Sequence, residues 1–92
     1  MTREQQLAQL NIDANFYISG VARERGYDDA VSCLSYWNST TTKWKSEAET
    51  FSGWRDASWA IINTTINGLS PSDPIPSIDD IVALLPVIVW PN

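Results

Sequence analysis

Apolar residues recur at steps of three and four along most of this chain, a spacing that predicts helices rather than strands. Thr2 stands as an N-cap with Gln5 three places on, the spacing of a capping box. Leu7, Leu10, Ala14, Tyr17 or Ile18, and Val21 then follow the amphipathic period. This first helix is expected to end near Arg25, with Gly26 as its stop and the basic pair Arg23 and Arg25 at the negative end of its dipole. Asp28 or Asp29 caps a short second helix carrying Val31, Cys33, Leu34 and Trp37. The polar run Asn38-Ser39-Thr40-Thr41-Thr42 breaks it.

A third helix runs from about Lys43 to Asn67, with Gly68 as its stop. Trp44, Ala48, Phe51, Trp54, Ser58, Ile61, Ile62, Thr65, Ile66 and Leu69 share one broad arc of its surface. Trp54 and Trp59 fall on opposite edges of that arc, about 140° apart, so each needs a different cover. Arg55 lies near the middle of the arc, where its stem must snorkel to water or its guanidinium must be paired inside. The expected partner is Asp28 or Asp29, with Glu47 as a local alternative. Gly53, on the far side, fits a close approach of another backbone or plain tolerance.

The run Ser70-Pro71-Ser72-Asp73-Pro74-Ile75-Pro76 reads as a stiff extended linker. Ser77 caps a short fourth helix with Asp79 and Asp80 in its first turn. Its face is built from Ile78, Ile81 or Val82, and Leu85, and Pro86 ends it. From Pro86 to Asn92 the chain is an apolar tail. The fold class expected is all-α: a small bundle of three to four helices, with a core domain over residues 1–69. Residues 70–92 form a proline-rich linker, short helix and extended docking tail.

Composition narrows the function more than the fold. A single domain of this size buries only about 60–65% of its unfolded surface and is marginal alone. Cys33 is the one cysteine and histidine is absent, so an internal disulfide is excluded and neither a metal nor a cofactor is expected. A partner is what remains to supply stability. The first residues carry no apolar signal core, and no run approaches the roughly 18 apolar residues that span a bilayer. Synthesis in a reducing cytoplasm is expected. The net charge is −5, and the six basic residues form no stripe, so neither nucleic acid nor an anionic membrane is an expected partner.

Catalytic readings find little to stand on. Adjacent carboxylates at helix starts are caps, and a thiol without histidine lacks an activating base. Asn38-Ser39-Thr40 and Asn63-Thr64-Thr65 match a glycosylation acceptor, and because the first residues carry no signal core the matches are expected to be coincidental. The five tryptophans point instead to packing and recognition. Trp54 and Trp59, with Val87, Ile88, Val89, Trp90 and Pro91 of the tail, are the candidate partner-binding residues.

Several motifs occur in a telling order: Gly26-Tyr27-Asp28-Asp29, Cys33 and Tyr36, then Trp44 with Glu47 and Glu49, then Trp54-Arg55-Asp56-Ala57-Ser58-Trp59-Ala60. Pro74-Ile75-Pro76-Ser77-Ile78-Asp79-Asp80, Leu85-Pro86 and Trp90-Pro91 close the chain. In that order they resemble a family of small tail-region proteins of tailed bacteriophages, from the baseplate or tail-fibre module. The threonine-rich loop from Asn38 to Lys43 departs from the family pattern, so no loop contact carries over. The resemblance implies a virion-tail location and a larger tail, baseplate or fibre protein as partner. A non-catalytic structural or adaptor subunit, present in several copies per particle, is the role expected. A tail-fibre assembly chaperone that leaves before maturation is the alternative.

Overall fold

The computed structural model describes residues 1–91, so Asn92, the last residue of the predicted tail, lies outside the described residues. Four helices follow in chain order: α1 (Arg3–Glu24), α2 (Ala30–Leu34), α3 (Thr42–Asn67) and α4 (Ile78–Val82). The fold is all-α among the described residues, as the periodicity predicts. Its long dimension is 50 Å against 20 and 18 Å across, the shape of two long helices laid side by side.

Local chemistry sets the helix starts. The Thr2 hydroxyl accepts from the Gln5 amide while the Gln5 side chain accepts from the Thr2 amide, so two orphan donors of α1 are satisfied reciprocally. Asp29 caps α2 through the Ser32 amide at 2.8 Å. Ser77 and Asp80 repeat the capping box at α4. At the end of α1 the chain turns through Gly26 at φ 103°, a left-handed conformation that side chains with a Cβ avoid. Gly53 meets no neighbour and faces open space, so tolerance rather than a close backbone explains it.

α1 and α3 run antiparallel, as their buried residues show. Leu10 and Ala14, early in α1, cluster with Ile62, late in α3. Ile18, Val21 and Ala22 cluster with Phe51 and Trp54, and Cys33 of α2 plugs the same group. Ile81 of α4 is 1% exposed and completes the Leu10 cluster. Residues after position 69 thus pack into the same clusters as the two long helices. Arg3 adds a polar tie, donating to the backbone oxygens of Asp73 at 2.5 Å and Ser70 at 2.9 Å, so the start of α1 holds the proline-rich segment.

The expected clasp around Arg55 forms elsewhere. Arg55 pairs with its neighbour Asp56 at 2.9 Å, not with Asp28, Asp29 or Glu47. The Asp29 carboxylate is committed to its helix cap, and Asp28 stays exposed with its backbone oxygen accepting from Arg23. Glu47 is taken by Arg25, which approaches from the end of α1. The element that pins the helices is thus about two turns nearer the start of α3 than Arg55.

Candidate interaction surface

The residues expected to meet a partner divide by the direction they face. Trp54 is 7% exposed and belongs to the core, against Tyr17 and Phe51 at ring separations of 6.3 and 5.7 Å. Its indole N–H donates to the Pro86 oxygen at 2.7 Å, which satisfies the polar end of a buried tryptophan. Trp54 is therefore not free for a partner, a correction that follows from the chain after α4 folding back over it. Trp59 is partly buried and bridges the two core clusters.

The same fold-back occupies half of the tail. Trp90 lies parallel to Phe51, with 6.2 Å between ring centroids, and Ile88 packs against the same cluster. Pro91 is partly buried, and its oxygen accepts from Arg25 Nη2 at 3.2 Å. Val87 and Val89 point the other way and are 88% and 82% exposed. Such alternation is the period of an extended segment with one covered face. Ile88 and Trp90 are thus internal anchors, and Val87 and Val89 are the residues of the tail left for contact.

Arg25 is the hub of this end of the molecule. Its Nε donates to Glu47 Oε2 while its guanidinium stands 5.4 Å from the centre of the Trp90 ring. Tyr27 donates from its hydroxyl to the other Glu47 oxygen at 2.8 Å. Glu47 is 3% exposed. Burial alone would raise its pKa, but the hydrogen bonds from Arg25 and Tyr27 and the charges of Arg25 and Lys43 outweigh it. The carboxyl is held below its ordinary value. Tyr27 is shifted upward, by burial and then by the Glu47 hydrogen bond. Burial, followed by the nearby Glu47 charge, pushes the Cys33 thiol up to about 11. A buried thiol with so high a pKa stays protonated at neutral pH and is a poor nucleophile.

Outside the core, several large apolar side chains face solvent. Phe16 is 71% exposed, Ile12 61%, Trp37 66% and Trp44 45%. Ile12 and Phe16 stand at i and i+4 on α1 but off the stripe that carries Leu10, Ala14, Ile18 and Val21. That second register was the signal in the sequence for an additional apolar face. Glu47, expected only as an alternative partner of Arg55, instead meets Arg25, and its place three residues after Trp44 and four before Phe51 puts it on the apolar side of α3. No group of three side chains arranged to hold a metal occurs among the described residues. No helix among them is long and apolar enough to cross a membrane. Comparison with protein-family models, with characterised proteins and with solved structures found no match.

Proposed function

We propose that this chain is a non-catalytic structural or adaptor subunit of a bacteriophage tail, binding a larger tail, baseplate or fibre protein. The observation that carries the binding role is the outward pair Val87 and Val89. Their segment is anchored on both sides, by Trp54 on Pro86 and by Arg25 and Phe51 on Pro91 and Trp90. Two β-branched side chains fixed in solvent lose little freedom on docking, so their burial by a partner is favourable. The phage-tail assignment is supported by the ordered motifs from Gly26 to Pro91 that resemble that family.

Mass spectrometry of purified particles tests the reading: the chain is expected among the tail proteins. Absence from the particle overturns the structural role. Absence combined with co-purification alongside a co-expressed fibre protein selects the assembly chaperone instead.

A further inference from the structure

Beside α1 and α4 lies an open groove of about 470 Å³ with an apolar floor formed by Tyr17, Gly20, Val21 and Val82. Phe16 walls it, held there with the Arg23 guanidinium 5.2 Å from its ring centre. Three carboxylates, Asp13, Glu24 and Asp79, stand around it. Gly20 leaves the floor open, since a Cβ there would meet nothing within 4 Å, the same freedom seen at Gly53.

A complementary object sits on the same chain. Trp44, in the first turn of α3, is 45% exposed and is steadied by Tyr36 at a ring separation of 5.5 Å. Lys43 and Lys45 flank it, both exposed. Lys45 is engaged by Glu49 at 2.6 Å, but that pair is itself exposed and easily exchanged. Trp37 is more exposed, yet Tyr36 and Asn38 flank it and neither brings a charge. Trp44 lines a different hollow, with Arg25 and Tyr27, and shares no residue with the groove. Rigid helices carry both features, so a chain cannot place its own Trp44 in its own groove.

We infer that the acidic groove over Gly20 receives the Lys43-Trp44-Lys45 knob of a second copy of this chain. Knob and groove are different surfaces, so the contact is head-to-tail. It propagates into a ring where the rotation closes and into a filament where it does not. In a chain of net charge −5 the contact brings cations to carboxylates at one point of an otherwise repulsive surface. The inference stands apart from the phage-tail reading, since it concerns the isolated chain.

Sedimentation velocity on the full chain at low salt tests it. The wild type is expected to form concentration-dependent oligomers with a Kd tighter than about 1 mM, dispersed by high salt. Gly20→Trp fills the groove and Trp44→Ala removes the knob, and each alone is expected to weaken association at least about tenfold. Mixed together they retain one intact knob and one intact groove, so a one-to-one dimer and nothing larger is expected. Glu24→Lys provides a groove variant that suits the end of α1, where a basic residue complements the dipole, and it too is expected to weaken association. A wild type that stays monomeric at about 1 mM overturns the inference. So does a mixture of the two variants that remains monomeric, or association that survives Glu24→Lys unchanged.

Discussion

The two ends of the α1–α3 pair are built on opposite principles. At one end Leu10, Ala14, Ile62 and Ile81 form an aliphatic cluster whose members are all buried. At the other, Phe51, Trp54 and Cys33 share the interior with the Arg25–Glu47–Tyr27 network and the Trp90 anchor. Aliphatic burial is strong but undirected, and many arrangements satisfy it. A buried carboxylate accepts one geometry or becomes costly. The aliphatic end therefore supplies cohesion, and the aromatic end sets where α2 and the chain after α4 must lie.

The largest expected effect is at the aliphatic end. Ile62 is 0% exposed, and Ile62→Ala removes three carbons from a site with aliphatic neighbours. A loss of about 3 kcal/mol is expected in urea unfolding, and the loss should be the same at pH 4 and pH 7. A marked dependence of that loss on pH would mean the two ends are not chemically separate.

Arg25→Ala breaks the other end, and its cost should depend on pH. It leaves Glu47 buried without its cation and frees the Pro91 oxygen. Because the Arg25 side chain is itself 33% exposed, the expected loss is about 2–3 kcal/mol at neutral pH, below that of a fully buried pair. The Glu47 pKa is lowered on folding. Its contribution is thus fully present above the unfolded value of about 4.3 and is lost as pH falls through the lower folded value. Glu47→Gln should flatten that part of the stability profile, and retention of the acid limb in Glu47→Gln would remove Glu47 from the account. Cys33 acts in the opposite direction: its raised pKa means stability present below about 9 is lost as pH rises through about 11.

How much of this was legible in the sequence differs between the same two ends. The caps at Thr2, Asp29 and Ser77 could be read because each partner lies within three residues. The stripe on α1 could be read because a helix repeats it. Periodicity says which face of α3 is buried but not what arrives there from another element. Arg25 and Glu47 are 22 positions apart, and each has a local explanation, as a dipole complement and as a nearby partner for Arg55. Trp90 could be seen to need a cover, yet nothing near it in the chain identified Phe51 as that cover.

Between the ends sits Ser58, 0% exposed, whose hydroxyl has no hydrogen-bond partner among the described residues. An unpaired buried hydroxyl is a cost rather than a contact. Ser58→Ala is expected to raise stability by about 1 kcal/mol, read as a higher melting temperature. It sharpens the comparison, because it removes a polar atom that belongs to neither the aliphatic cluster nor the Glu47 network. A lower melting temperature would mean that the hydroxyl has a partner and that the network extends into the middle of α3.

Arg55 gives the smallest effect and the clearest negative control. Its guanidinium binds Asp56 at 2.9 Å, and Asp56 is 69% exposed, so water competes for both charges. Pairs of this kind contribute about 0–1 kcal/mol, and arginine to alanine slightly improves helix propensity, which offsets part of the loss. Arg55→Ala should therefore unfold within about 0.5 kcal/mol of the wild type. Arg25 and Arg55 have the same charge, and their side chains are equally exposed at 33%. They differ in the carboxylate each meets: a buried one that cannot recover its solvation, and an exposed one that never loses it. If Arg55→Ala were as costly as Arg25→Ala, carboxylate burial would not be what separates the two arginines, and the division of the molecule into a cohesive end and a directing end would fail with it.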